Sequence, residues 1–453
     1  MTKNTVYIVH CIDTEGPLYE SIDATFQRIN LIFGLNLTTS YDTLRKLQKE
    51  EIPLNGIEKE VANVVAPKRI NTLDSWDKID TMLDNITTMK FRNEFDDSYN
   101  NGWIYNWFCM DHVGFIGLNP RRRDIGHHNI FDHYELYNRL NNYTQDIIQW
   151  HYHPVAIVPD AHRSGNTYLN SSNIYEILSR KIIDRQWFPA AFRPGFHTER
   201  PDTNWFLEQW IPFDFGNLAV KGDSKIQPDV SGGRFGDWRR APKTWRPYNP
   251  DINDYQIKGD CKRVITRCLN MDARYASIQK NDIIDAFKDA KEFGNSLLAF
   301  TNHDFRDMEP EIRKVGNLIK DVSKDFSKVQ YKNSNAIQAM RNVMGLEALT
   351  KPNISANLVK KKAYSKLVVH TENKIFGLQP FLAIKLKSSK YYWQNFDFEN
   401  ENSWSFTFDN SNIEIEAVEK IGIAANTIAG VTEVCVFDVS RSELSRQVYN
   451  YSN

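Results

Sequence analysis

Residues 5–17 read TVYIVHCIDTEGP, and the architecture turns on them. The run over residues 5–12 is apolar and rich in β-branched side chains, and it stops at Asp13-Thr14-Glu15 before a Gly16-Pro17 turn. A short run with no regular polar face suits a strand buried on both sides, as in a parallel sheet covered by helices. Similar runs recur at 103–110, 146–150, 188–192, 213–219, 263–269 and 297–301, with a shorter one at 329–332 closing the series. Longer amphipathic stretches separate them. In one of these, Ile283, Ile284, Phe287, Ala290 and Phe293 form a helical stripe that Gly294 ends.

The residues at the end of each run decide between sheet types. The first run leads into Asp13 and Glu15, the second into Asp111-His112, the third into His151-Tyr152-His153, the fourth into Arg193-Pro194 and the seventh into His303-Asp304. The fifth opens on Asp214, a weaker candidate because an aspartate at a strand start is often a cap. Chemically capable side chains therefore collect at the carboxyl ends. In a closed parallel barrel those ends share one face. An open doubly wound sheet would also gather ligands there, but the sequence has neither a G-x-G-x-x-G fingerprint nor a P-loop. An α/β barrel is the expected fold.

Past residue 345 the texture changes. Residues 404–408 and 413–416 alternate with period two, and 432–439 reads as another strand. At roughly 100 to 200 residues per domain, 453 residues suggest one large domain and a smaller companion, read as a barrel over residues 1–345 and a small antiparallel β domain over 356–453, joined by a linker containing Pro352.

A formal net charge of -1 removes the electrostatic argument for nucleic acid or an anionic membrane. The first residues lack a secretory-signal pattern and no apolar run is long enough for a transmembrane segment, so a cytoplasmic location is expected. Cys11, Cys109, Cys261, Cys268 and Cys435 are scattered without a C-x-x-C pair, the pattern of reduced structural thiols.

Asp13 and Glu15 sit two apart where a strand ends, so both carboxylates point the same way: one can bind a cation while the other handles a proton. The competing reading is an exposed acidic turn closed by Gly16-Pro17. His151 and His153 have the same spacing and can present two imidazoles to one ion, with His162 a competing third candidate. Nitrogen and carboxylate ligands together suit one divalent metal ion, zinc above all. His303 is placed to protonate a leaving group, with Asp304 or Asp307 to orient it, and Arg193 can grip a carboxylate through its fork.

These segments, Ile12-Asp13-Thr14-Glu15-Gly16-Pro17, Trp150-His151-Tyr152-His153-Pro154, Phe192-Arg193-Pro194-Gly195 and the stretch around His303, resemble in order and approximate spacing the motifs of polysaccharide deacetylases, carbohydrate esterases of the NodB-homology type. The resemblance covers about residues 1–345. It implies a distorted (β/α)7 barrel with one divalent metal, Asp13 as base, Glu15, His151 and His153 as metal ligands, Arg193 as support for the base and His303 as acid. Two departures stand out. The usual adjacent acidic pair is split by Thr14, and the usual histidine pair spaced four apart is here spaced two apart, so the roles of Asp13 and Glu15 stay exchangeable.

Two inserted segments carry arginine and tryptophan: 119–129, with Arg121, Arg122 and Arg123, and 236–242, with Trp238, Arg239 and Arg240. Indole faces stack on sugar C–H groups and guanidinium forks bind anions, which points to a carbohydrate substrate, nucleotide- or lipid-linked, with Arg121, Arg122, Trp238 and Arg239 as contacts. The competing reading makes them buried loop anchors. The function expected is removal of an acyl group, N-acetyl or similar, from a sugar or sugar conjugate during surface glycan synthesis. Its rivals are a catalytically silent carbohydrate-binding protein on the same fold and an amidohydrolase acting on a non-sugar small molecule. Oligomeric state is left open.

Overall fold

In the computed structural model, β1 (Thr5–Thr14) is buried at every position but Tyr7, which explains its unbroken apolar run. The structure describes residues 4–114, 121–157, 165, 167–221, 236–273, 276–348 and 350–452; His162, Asn119 and Pro120 lie outside them. β1 is followed by β2 (Tyr105–Cys109), β3 (Ile147–Tyr152), β4 (Ala191–Pro194), β5 (Phe213–Asn217), β6 (Val264–Asn270), β7 (Asn295–His303) and β8 (Gln330–Asn333). Strands β1 to β7 pair in sequence order, all parallel, and β7 returns to β1, so seven strands close into a barrel.

The closure has an unusual seam. β1 pairs with β7 along nearly its whole length, from Thr5 opposite Asn295 to Asp13 opposite His303. Its other edge is divided: Thr5 to Ile8 pair with β8, and His10 to Thr14 pair with β2. The carboxyl end of β1 is thus held by ladders on both sides, and a one-residue slip would turn Asp13 away from the barrel mouth.

The expected runs are all present, with shifted ends. β1 and β7 reach Thr14 and His303, so Asp13 and His303 belong to strand ends rather than loops. β4 begins three residues later than the apolar run, and β5 stops at Asn217 after an irregularity between Asp214 and Asn217. The helix Lys280–Phe293 buries Ile283, Ala286, Phe287 and Ala290, is boxed at its start by Gln279 and Asp282, and ends at Gly294 with φ 97°. Phe293, expected in the buried stripe, is exposed instead, with the Arg246 guanidinium over its ring.

Between β1 and β2 the chain makes a long helical excursion through Ile22–Phe33, Tyr41–Gln48, Glu58–Val64, Pro67–Ile70, Trp76–Ile86 and Met89–Asn93. Phe26, Ile29, Leu44, Leu47, Val61 and Val65 give its first helices a small core of their own. Ser21, Ser40 and Ser75 cap three of these helices, each side chain accepting from a backbone N–H in the first turn, worth about 1 kcal/mol apiece.

The helix Ala336–Met344 ends at Gly345, and among the described residues nine antiparallel strands come after it. They are β9 (Ile354–Lys360), β10 (Ser365–Thr371), β11 (Phe381–Leu386), β12 (Tyr391–Gln394), β13 (Asp397–Asn400), β14 (Ser403–Phe408), β15 (Val418–Asn426), β16 (Thr432–Asp438) and β17 (Glu443–Tyr449). They form one sheet ordered β13-β14-β10-β9 and another ordered β12-β11-β15-β16-β17. Val369, Trp404, Ile384, Ile421 and Cys435 from both sheets share one core, making a sandwich. The period-two stretch 413–416 is not a strand. Ile415 and Val418 are buried three apart, so the chain turns through the 3-10 helix Ile415–Ala417 before β15. The outer face of the second sheet packs on the helix Ser172–Arg185 of the barrel, with Ile182, Ile183, Phe381 and Ala424 in one apolar cluster and Tyr175 stacked on Trp393 at 4.5 Å. Asn426 ties the two parts together, donating to the carbonyls of Pro189 and Trp210 at 2.8 Å each. The five cysteines are free and buried, and among the described residues no helix is long and apolar enough to cross a membrane.

Candidate metal centre and its cavity

The carboxyl ends of β1, β3 and β7 deliver Asp13, Glu15, His151, His153 and His303 to one cavity at the barrel mouth. Parallel pairing does this directly: Asp13 stands opposite His303, and His151 stands opposite Arg193. The i, i+2 spacing then places Glu15 above Asp13 and His153 above His151 on the same inward face.

Glu15 Oε1 lies 3.6 Å from His151 Nε2 and 3.5 Å from His153 Nε2, and the two Nε2 atoms are 2.9 Å apart. These three donors, all buried, lie within 4.8 Å of one another and can hold a metal ion. The surroundings fit that use. His151 Nδ1 lies 3.0 Å from the Arg193 carbonyl, which accepts its proton and leaves the Nε2 lone pair facing Glu15. Burial lowers the affinity of His151 and His153 for protons and so favours the neutral ring, the form that ligates. The other oxygen of Glu15 contacts Arg122.

Asp13 is held differently. Arg193 donates from Nε to Oδ1 at 2.5 Å and from Nη2 to Oδ2 at 3.1 Å, while its Nη1 donates to the Phe215 carbonyl at 2.6 Å. Burial alone would raise the Asp13 carboxyl. The guanidinium, with His151 and His303 near, outweighs it and holds the group ionised far below the usual carboxylate range. Between the two acids, geometry therefore separates the parts that spacing left exchangeable: Glu15 meets both imidazole Nε2 atoms, and Asp13 meets the arginine.

His303 Nε2 is 3.8 Å from Asp13 Oδ2 and 3.8 Å from Glu15 Oε1. Its side chain is 28% exposed against 6% and 3% for those acids, so it is the member of the group that opens onto the cavity. Desolvation pulls its pKa down to about 3. Neither Asp304 nor Asp307 orients it. Asp304 accepts from the backbone N–H of Glu15 at 2.9 Å and of Gly16, and from Tyr134 Oη at 2.9 Å, so it fixes the turn that carries Glu15. Asp307 accepts from the Glu309 N–H at the start of a helix. Asp214 lies deeper, paired with Arg263 and close to Glu199. Asp111 pairs with Lys181 at 2.9 Å, and the neighbouring His112 ring reaches the Glu15 carbonyl at 2.9 Å.

The turn after β4 supplies the wall behind His153. Phe196 and His197 both have positive φ, 53° and 50°, a left-handed stretch that costs non-glycine residues of order 1 kcal/mol or more each. It presses the Phe196 ring against His153 at 4.9 Å and anchors His197 Nδ1 on the Gly216 carbonyl at 3.1 Å. Gly195 is required in this turn for space. A Cβ there would lie 2.2 Å from His153 Cδ2.

Of the expected substrate contacts, Arg121 and Arg122 line the cavity, Arg121 contacting Glu20 and Arg122 contacting Glu15. Trp238 does not. It is fully buried, with Nε1 donating to the His197 carbonyl at 2.8 Å, so its faces cannot stack on a sugar and it serves as a loop anchor. Arg239 lies apart from the cavity, chelated by its neighbour Asp237 at 2.9 and 2.7 Å. Sequence reasoning missed His197, Arg28, Arg69 and Arg306, all of which line the cavity. The two arginines before β2 sit in the helical excursion, where no strand end flags them.

A family model described as "Putative abortive phage resistance protein AbiGi, antitoxin" matches residues 315–433. That span runs from the helix Glu309–Lys324 into β16 and contains none of the residues lining the cavity. No curated protein and no solved structure matches the chain.

Proposed function

We propose that this protein is a metal-dependent hydrolase that removes an acyl group, N-acetyl or similar, from a sugar or sugar conjugate. The observation that carries the reading is the convergence of Glu15, His151 and His153 beside the Asp13–Arg193 pair and His303 in one cavity. A divalent cation on the Glu15, His151 and His153 donors, zinc by their chemistry, supplies Lewis acidity toward an acyl carbonyl and acidifies water. Asp13, fixed by the Arg193 fork, accepts a hydrogen bond from the attacking water and takes its proton as the bond to carbon forms. That proton passes to His303 Nε2, 3.8 Å from Asp13 Oδ2, and from there to the departing nitrogen or oxygen as its bond to the acyl carbon breaks. The partial exposure of His303 lets it reach a leaving group in the cavity.

The test is acetate release from N-acetylated hexosamine conjugates by the full chain, with bound metal measured on the same sample. Asp13→Asn and His303→Ala should each lose ~10² to 10⁴-fold in kcat. Near-normal release by both variants, or no activity and no metal in the parent, defeats the reading.

The family-model match favours a second reading, in which the segment 315–433 acts as an antitoxin in abortive phage resistance by binding a protein partner. Cells producing the chain with Glu15→Gln and His151→Ala separate the two. Phage protection that survives these substitutions supports the antitoxin reading, and protection that disappears with them assigns it to the cavity.

A further inference from the structure

The metal centre occupies only the floor of its cavity. Above it, Arg28, Arg69, Arg121, Arg122 and Arg306 line the wall from separate parts of the chain: the helix Ile22–Phe33, the turn Pro67–Ile70, the loop after β2 and the segment after β7. Arg122 and Arg306 both lie against Phe305, 5.0 and 5.1 Å from the ring centre, and Arg122 also contacts Glu15, so the arginine wall begins at the metal centre itself.

This wall is not neutralised by its own carboxylates. Arg28 at 2.8 Å and Arg121 share Glu20. Lys68 at 2.6 Å and Arg69 at 3.8 Å share Asp272. Arg306 ion-pairs with no carboxylate among the described residues; Glu311 lines a neighbouring pocket that Arg69 and Arg306 also border. With Lys68 counted beside the five arginines, and Glu15 and Glu311 counted as anions beside Glu20 and Asp272, six cations face four carboxylates, and two positive charges are left over. The Nε atoms of Arg28, Arg69 and Arg306 are buried without a hydrogen-bond partner among the described residues. Buried donors are normally satisfied, and several guanidinium groups lining one cavity suit an oxyanion with several acceptor oxygens.

We propose that the arginine wall is a subsite for a phosphoryl or diphosphoryl group carried by the substrate next to its acyl sugar. The twofold charge surplus matches a dianion better than a sugar carboxylate, and the separate directions of approach suit the several oxygens of a phosphate better than the planar pair of a carboxylate. The proposal deepens the hydrolase reading and rests on it for the remainder of the substrate, but the anion contact is tested without turnover.

The experiment is calorimetric titration of the full chain with inorganic pyrophosphate, using the parent, Arg69→Gln/Arg306→Gln, Arg306→Lys and His151→Ala/His153→Ala. Expected is saturable binding by the parent, at least tenfold weaker in the glutamine double variant, kept within about threefold by the lysine variant and by the histidine double variant. Unchanged affinity in the glutamine variant, or binding lost only in the histidine variant, overturns the subsite and leaves the hydrolase reading standing. Glucuronate binding as tightly as pyrophosphate also overturns it. Competition then separates the sources: displacement by an N-acetylhexosamine 1-phosphate supports a monoester substrate, and displacement only by a nucleoside-diphosphate N-acetylhexosamine supports a diphosphate-linked one. Circular dichroism melts on each variant exclude unfolding as the cause of a loss.

Discussion

Arg193 holds Asp13 by two nearly parallel hydrogen bonds, Nε to Oδ1 at 2.5 Å and Nη2 to Oδ2 at 3.1 Å, with both side chains buried. The fork fixes the carboxylate in direction as well as in charge. Arg193→Lys keeps one charge and loses the second bond, and is expected to lower kcat by ~10 to 100-fold, on the scale of a lost supporting contact to a functional group. Arg193→Ala leaves Asp13 buried without its counter-ion and should lower stability by about 3–5 kcal/mol in urea unfolding. Parent-like turnover in the lysine variant would mean that Asp13 needs charge alone.

Gly195 offers a way to disturb a candidate metal ligand, His153, without altering it. Because a Cβ at 195 meets His153 Cδ2 at 2.2 Å, and the Phe196 ring packs against the same imidazole, Gly195→Ala must push it off its line toward Glu15. Metal affinity, read by competition with a chelating dye, should fall ~10 to 100-fold while the melting curve shifts little. Stoichiometric metal at parental affinity would show that His153 is not needed for binding.

His10 predicts how stability changes with acidity. Its Nδ1 accepts from Trp103 Nε1 at 2.9 Å and its Nε2 meets Asn302 Oδ1 at 2.9 Å, an arrangement only the neutral ring can satisfy. Burial pulls its pKa from 6.5 down to about 4, with the Asn302 bond opposing weakly. The unfolded chain therefore binds the proton first. Stability is full above pH 6.5 and falls as pH drops toward about 4, by roughly 3 kcal/mol in all. His10→Gln, which keeps one donor and one acceptor, should flatten that part of the profile. An unchanged slope would remove His10 as its source.

Trp238 and Arg239 test the assignment of anchors. Trp238→Phe removes the bond to the His197 carbonyl and should cost about 1–3 kcal/mol of stability, with KM within threefold of the parent. Arg239→Ala, at the surface, should change neither. A tenfold rise in KM with unchanged stability in either variant would return these residues to the substrate site.

How far the chain is legible from its sequence depends on which interactions are local. Strand ends are legible because burial on both faces forces an apolar run to end where the barrel mouth begins, and so Asp13, His151, Arg193 and His303 stand out. Pairing register, which puts Asp13 opposite His303, is a property of two segments far apart and is visible only in the fold. Trp238 misleads because its composition suits both a sugar platform and a core anchor, and only its zero exposure distinguishes them. Arg28, Arg69 and Arg306 are hidden for a different reason: each is an ordinary helix or loop arginine until folding gathers them. The alternation at 413–416 misleads because a pattern that short also fits a tight turn with Ile415 and Val418 inward.

The divided edge of β1 has a consequence for assembly. The strand that bears Asp13 leaves the ribosome long before its partners β7 and β8, which are completed only at His303 and Asn333. Contacts across nearly three hundred residues must form before β1 is held on both sides, and long-range pairing of this kind is slow. During synthesis β1 waits as an unsatisfied sticky edge, exposed to aggregation, until the chain behind it arrives.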